Sequence, residues 1–337
     1  MTKDAMLKYV LKVFVSGIYT LFLIGGLVCA YLLYTSVRNI FAHSPVSPLI
    51  ELPIIGEPAL RPEDIPDWSQ KERVSILLLG VDQRPGEEGP WRSDTMIVVT
   101  VDPKSMTAAM LSVPRDLYVE IPGYGEQRIN MAHFWGDAYD YPGEGPGLAM
   151  RTVEYNLGIP IHYYIRINYQ GFREIINYLG GITVNVPEEI WDYRYPDGHY
   201  GYMTIHIPAG EQVMDGRTAL QYVRTRHAGT DFDRLRRQQQ VLMAIRDKTL
   251  RLDLIPKIPT LAGTMGHTVK TNLQLSEVAA LGQIATQIDA EDIHFAAVDE
   301  TMTVPIVLED GADVLFPQRE KIRQVVDEIF SSPSQEE

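Results

Sequence analysis

A single cysteine, Cys29, leaves the chain without any intrachain disulfide. With no second thiol, and with His133, His162, His199, His206, His227, His267 and His294 in no compact ligand spacing, the sequence argues against a structural zinc site. Gly143, Gly145 and Gly147 precede a predicted helix but come without a dinucleotide fingerprint or a phosphate-loop lysine. Ser75 and Ser93 lack an evident base and orienting acid, so serine hydrolase chemistry has no support. Basic charge is also short. Against 44 Asp and Glu stand 30 Lys and Arg, a net charge of −14, which argues against a nucleic-acid partner. Between Thr271 and Gln318 there is no Lys or Arg at all, while nine acids run from Glu277 to Asp313.

What is present begins with an apolar run. Residues 13–37 carry no charged side chain. As a helix they would span about 37 Å at ~1.5 Å per residue, enough to cross a ~30 Å hydrocarbon core with some tilt. Lys3, Lys8 and Lys12 precede the run and Arg38 alone follows it closely, so residues 1–12 are read as a cytoplasmic tail and the rest of the chain as extracytoplasmic. The run is long for a signal peptide and no Ala-x-Ala site follows it, so it is read as an uncleaved single-pass anchor in the cell membrane. Cys29 is then a lipid-facing or packing residue, with lipidation as the alternative. Residues 38–73 hold Pro45, Pro48, Pro53, Pro58, Pro62 and Pro66, which predicts an extended, semi-rigid tether.

Residues 74–330 read as one α/β domain, with 331–337 as a flexible tail. Strands are predicted at 74–80, 95–101, 108–113, 163–167 and 182–186, with short ones around 295–298 and 304–307. Asp102-Pro103-Lys104-Ser105 makes the second and third an antiparallel hairpin. Helices are predicted at 147–157 (closed by Gly158), 169–179, 216–222, 233–250, 276–288 and 319–330. Strands alternate with helices, which predicts a mixed sheet covered by helices.

Asp82 follows the first strand and Asp94 leads into the second, so both carboxylates stand at strand ends. Together they suit one hard cation such as Mg2+; alternatively Asp94 caps a turn and Asp82 pairs with Arg84. Arg115 follows the strand-ending Pro114, and Asn130 lies in a loop, free to bind a ligand or to satisfy its own backbone. Arg224, Arg226, Arg234, Arg236 and Arg237 fall within fourteen residues. A basic island in an acidic protein points to a local anionic ligand, the alternative being a salt-bridged helix surface. Arg234, Arg237 and Gln238 share one helix face, Leu235 and Leu242 face elsewhere, and Asp231 or Asp233 is a candidate N-cap.

The ordered segments ILLLGVDQR, WRSDTMIVVTVDP, LSVPRDLYVEIPG, RINMAH, LGGITVNVP, GEQVMDGRTALQYVRTRH and DFDRLRRQQQ closely resemble the LytR–CpsA–Psr family of cell-wall glycopolymer ligases. The resemblance covers roughly residues 74–250. It implies a three-layer α/β/α fold with a central mixed sheet and an apolar pocket for a polyprenyl chain. It also implies transfer of a glycan from undecaprenyl pyrophosphate to peptidoglycan, assisted by Mg2+. By that resemblance Asp82 and Asp94 are metal-associated and, with Arg115, catalytic. Arg84, Arg92, Arg115, Arg224, Arg226, Arg234 and Arg237 match arginine positions near the pyrophosphate, and Gln238 is grouped with them. Asp231 or Asp233 is a candidate base for the acceptor hydroxyl. The chain departs from the pattern at Gly136-Asp137, where two glycines are expected, and in a Tyr-, Asp- and Gly-rich insertion over 191–202. The competing readings are a non-catalytic lipid- or glycopolymer-binding scaffold and a pyrophosphatase using water. A transcription regulator is opposed by the short cytoplasmic tail.

Overall fold

The computed structural model describes residues 64–83, 89–197, 201–225, 230–251 and 268–330. The anchor read at 13–37, the tail at 331–337, most of the tether, Arg84 and Arg226 lie outside the described residues. Among the described residues no helix is long and apolar enough to cross a membrane.

In chain order the elements are β1 (Val74–Val81), β2 (Ser93–Asp102), β3 (Thr107–Ser112), β4 (Tyr118–Ile121), β5 (Gly125–Arg128), α1 (Met131–Ala138), α2 (Glu144–Leu157), β6 (Tyr163–Asn168), α3 (Tyr169–Tyr178) and β7 (Ile182–Val186). There follow β8 (Ile190–Pro196), β9 (Tyr202–Ile207), β10 (Gly210–Met214), α4 (Gly216–Arg224), α5 (Asp231–Arg251), β11 (Val269–Thr271), α6 (Leu275–Ala285), β12 (Ile293–Ala297), β13 (Thr303–Val307), β14 (Asp313–Pro317) and α7 (Arg319–Phe330). The main sheet has the order β11-β6-β1-β2-β3-β12. The pairs β1–β2, β2–β3 and β6–β11 are antiparallel, while β1–β6 and β3–β12 are parallel, so the sheet is mixed as predicted.

Side chains alternate across a strand, and here both faces are apolar. Leu77, Leu79 and Val98 pack with Leu148 and Val153 of α2 and Ile322 and Val326 of α7. Ile76 and Ile97 point the other way, against Ala280 and Ile284 of α6 and Leu242 of α5. The result is three layers, helix on sheet on helix. A third cluster joins α3, α4 and α5 to β7 and β10 through Ile176, Ile182, Val184, Met214, Ala219 and Val241. The domain also starts earlier than its first strand. Trp68, 6% exposed, belongs to the core, stacks on Tyr163 and carries the Lys71 ammonium 3.7 Å above its ring.

The sequence reading did not resolve three features. Hairpin β4–β5 was missed because β5 is polar and almost fully exposed, with no apolar alternation to mark it. The segment read as an insertion is the hairpin β8–β9, whose register shifts between Asp192 and Tyr195 and so breaks the period of two. The third is α1, which occupies the stretch after Asn130 that was read as loop. Its approach to α2 explains the departure at Gly136-Asp137. A Cβ at Gly136 would sit 2.5 Å from the Glu144 carbonyl oxygen, and the Asp137 Oδ1 accepts a 2.8 Å hydrogen bond from the Gly145 N–H. Gly136→Ala should therefore force the two helices apart and destabilise the fold by about 1–3 kcal/mol, read as a lower midpoint in urea unfolding.

Candidate active site

Sheet register brings four chain segments to one edge. Val81 pairs with Ser93 and with Asn168, so Asp82, Asp94 and Tyr169 leave the sheet side by side. β3 ends at Ser112 on the same edge, opposite Ile97, and Pro114 then turns the chain to present Arg115. The Arg115 Nη1 donates to Asp94 Oδ1 at 2.7 Å and its Nε to Asp116 Oδ2 at 3.2 Å. Arg128 donates to the other Asp116 oxygen at 3.3 Å. Arg224 approaches Asp82 at 3.6 Å, reaches the Tyr195 hydroxyl at 3.4 Å and lies 4.2 Å above the Tyr169 ring. The Tyr169 hydroxyl donates to Asp94 Oδ2 at 3.3 Å.

Burial works against the charge of Arg115, but Asp94 and Asp116 more than offset it, and the guanidinium pKa is raised. Arg224 follows the same pattern, with Tyr169, Tyr195 and Asp82 opposing burial. Burial, then the Asp94 charge, pushes the Tyr169 phenol up, so it stays protonated and donates. Behind this layer His133 is fully buried, its Nδ1 2.7 Å from the Trp91 carbonyl oxygen, and burial pulls its pKa down to about 4, leaving it neutral.

Two cavities of opposite character meet at the aspartates. One, of about 620 Å³, is walled mainly by aliphatic and aromatic side chains such as Leu78, Ile165, Phe172, Leu220 and Ile245. The other, of about 370 Å³, is lined by Arg92, Arg115, Asp116, Arg128, Asn130 and the aromatic rings of Trp91 and Phe134. Asp82 and Asp94 line both. Helix α5 runs along the apolar cavity and contributes Arg234, Gln238, Val241, Leu242 and Ile245 in that order. These residues recur at three, four and seven, so one helix face changes from charged to greasy along its length. This revises the sequence reading, which placed Leu242 away from the arginine face.

The other candidates sort as follows. Gln238 lines the apolar cavity and donates to the Thr95 hydroxyl at 3.0 Å. Arg237 is buried and donates to the Thr225 carbonyl oxygen at 2.6 Å; it is not part of either cavity wall. The N-cap of α5 is Thr230 rather than Asp231 or Asp233: Asp233 accepts from the Thr230 N–H at 2.7 Å and its own N–H donates back to the Thr230 hydroxyl at 3.2 Å. Asp233 also pairs with exposed Arg236, and Asp231 with Arg234. Neither carboxylate lines either of these two cavities, although the field of Asp231 reaches Arg115. Asn130, for which the sequence left a ligand or its own loop backbone as partners, makes no capping bond and lines the polar cavity.

A profile of the LytR_cpsA_psr family matches residues 57–331. The chain belongs to the LytR–CpsA–Psr family. Among its LytR–CpsA–Psr relatives is a polyisoprenyl-teichoic acid–peptidoglycan teichoic acid transferase TagU of Oceanobacillus iheyensis, 34% identical over 77% of this chain and 79% of that one. The crystal structure of Bacillus subtilis TagV superposes with a TM-score of 0.61 at 33% identity, covering 77% of this chain and 97% of the other. TagT with bound octaprenyl pyrophosphate lipid superposes with a TM-score of 0.56 at 27% identity, over 78% and 92% of the two chains. In this LytR–CpsA–Psr chain the residues that sequence reasoning did not single out are Tyr169, Tyr195, Trp91, Phe134 and Arg128. Tyr169 directly follows β6, so its place at a strand end was the available signal. Tyr195 comes from the bulged hairpin, which left no regular pattern to read.

Proposed function

We propose that this chain is an extracytoplasmic, membrane-anchored transferase that moves a glycopolymer from a polyprenyl pyrophosphate carrier, undecaprenyl in the natural case, to peptidoglycan. The observation carrying this reading is the junction of the apolar and polar cavities at Asp82 and Asp94, with Arg115 on one side and Arg224 on the other. An amphiphile with a long tail, a diphosphate and a polar glycan has the same order of properties as the two cavities. The tail lies along α5 beside Leu242 and Ile245, and a cavity of about 620 Å³ falls within the ~300–1,000 Å³ usual for ligand sites. The diphosphate sits at the junction, where guanidinium forks match its oxygens.

In the reaction the acceptor hydroxyl attacks the sugar-side phosphorus. A new P–O bond forms, the bond to the prenyl phosphate breaks, and prenyl monophosphate leaves with the electron pair. The chain's part is chiefly placement and charge neutralisation, as phosphoryl transfer requires. Arg115 and Arg92 face the polar side, where charge builds on the transferred phosphoryl group; Arg224 and Arg234 face the leaving phosphate. Since Asp231 and Asp233 line neither cavity, the acceptor proton is taken by a carboxylate at the junction or by water.

Among the described residues no group of three or more His, Cys, Asp or Glu would hold a metal ion. Two carboxylates open to a shared cavity nevertheless suit Mg2+, which is commonly held by one or two carboxylates plus substrate phosphates and water. Asp82 and Asp94 would hold it, and it would neutralise diphosphate charge. The test is incubation of the full-length chain with a polyprenyl-pyrophosphate-linked glycan and peptidoglycan, with and without Mg2+. Glycan bound to peptidoglycan through phosphate, with stoichiometric prenyl monophosphate, is the expected product. Release of free glycan phosphate at the same rate without peptidoglycan would instead mark a pyrophosphatase.

A further inference from the structure

Two ion pairs flank the junction of the cavities. Asp94 is bonded to Arg115, which follows β3, and Asp82 after β1 faces Arg224 at the end of α4. One side chain touches both pairs. Tyr169 opens α3, and its hydroxyl lies 3.3 Å from Asp94 Oδ2, the oxygen that Arg115 does not take. Its ring lies under the Arg224 guanidinium, 4.2 Å from ring centre to Cζ. The backbone holds the residue there twice over. Asn168 pairs with Val81 on β1, and the Asn168 side chain accepts from the Gly171 N–H at 2.9 Å, which fixes the first turn of α3.

We infer that Tyr169 is a positioning residue of the transfer site: its ring holds Arg224 at the boundary of the two cavities for the diphosphate, and its hydroxyl fixes the orientation of Asp94. This deepens the function proposed above and rests on it. The two halves of the side chain have separate tasks. A guanidinium bordering an apolar cavity loses water, and an aromatic face beneath it replaces part of that stabilisation. A carboxylate held at both oxygens, by Arg115 and by the phenol, has one orientation available. Tyr195 also meets Arg224, at 5.6 Å from ring centre to Cζ, but its hydroxyl faces that guanidinium and not Asp94. Tyr169 touches both pairs, through its hydroxyl on one side and its ring on the other.

The test uses the full-length chain in detergent and two probes, geranylgeranyl pyrophosphate and geranylgeraniol. Tyr169→Phe keeps the ring. It should bind the pyrophosphate probe within about twofold of the unsubstituted protein, while kcat for transfer falls several-fold at an unchanged KM. Tyr169→Leu removes ring and hydroxyl. It should weaken pyrophosphate binding by about tenfold, between the size of an exposed and of a fully desolvated cation–π contact, and leave geranylgeraniol binding unchanged. Combining Tyr169→Leu with Arg224→Ala should add little beyond Arg224→Ala alone, because both remove the same interaction. Unaltered pyrophosphate affinity in Tyr169→Leu, an equal loss for both probes, or additive losses in the double variant would each overturn the inference. If the unsubstituted protein shows no preference for pyrophosphate over the alcohol, the reading of the site fails first, and this inference fails with it.

Discussion

Arg115→Ala lowers glycan transfer by about 10²–10³-fold, the usual effect of removing one preorganised donor from a charged transition state. The side chain is 17% exposed and spends its donors on Asp94 and Asp116, so it faces the cavity with its charge already aimed. Two further arginines of the site take other carboxylate oxygens. Arg128 reaches Asp116, and Arg224 approaches Asp82 from the apolar side. The pairs involved are only 17–27% exposed, so folding stability also falls, by about 1–3 kcal/mol. The two effects separate in practice: unfolding by urea reads the small one and transfer at saturating donor reads the large one. Arg115→Lys recovers little, because an ammonium lacks the planar fork that meets Asp94 and Asp116 at once. A purely structural Arg115 would instead lose stability and activity in parallel, and lysine would restore both.

Ile245→Trp should weaken the binding of long prenyl chains at least tenfold while sparing short ones. Ile245 lies eleven residues beyond Arg234 on α5, roughly 16 Å further along the same wall at ~1.5 Å per residue. An indole there takes space from the apolar cavity without touching the junction. A probe with many isoprene units then loses at least tenfold in affinity, since each buried CH2 contributes about 0.8 kcal/mol. Isopentenyl pyrophosphate ends near the guanidiniums and keeps its affinity. Titration of both probes against the variant and the unsubstituted chain checks this. Equal losses for the short and long probes would place the tail elsewhere.

Much of this was legible in the sequence where local pattern and global position agree. The strands β1, β2, β3 and β6 are rich in apolar and β-branched residues with clear stops, and Gly158 closes α2 in the left-handed conformation, φ 70°, as its position predicted. Asp82, Asp94 and Arg115 were legible for the same reason: each flanks a strand whose limits were readable. What failed depends on pairings distant in sequence. The two faces of α5 were judged by periodicity within the helix, which separates Leu242 from Arg234 when the helix is buried on one stripe. Here the cavity itself is the neighbour, and it accepts both. The hydroxyl of Tyr169 finds Asp94 across 75 residues, a contact no spacing announces. Asn130 looked like a loop residue because α1 is only eight residues long and carries Gly136, a poor helix former, in its interior.

The most direct test of the two-cavity arrangement is photo-crosslinking of the full-length chain with a prenyl pyrophosphate carrying a diazirine at the far end of its tail. The arrangement predicts labelled peptides from the walls of α3, α4 and α5, around Phe172, Leu220 and Ile245, with labelling competed by unlabelled prenyl pyrophosphate and reduced in Ile245→Trp. Label confined to Trp91, Phe134 or other walls of the polar cavity would contradict it, because the tail would then lie where the glycan is assigned.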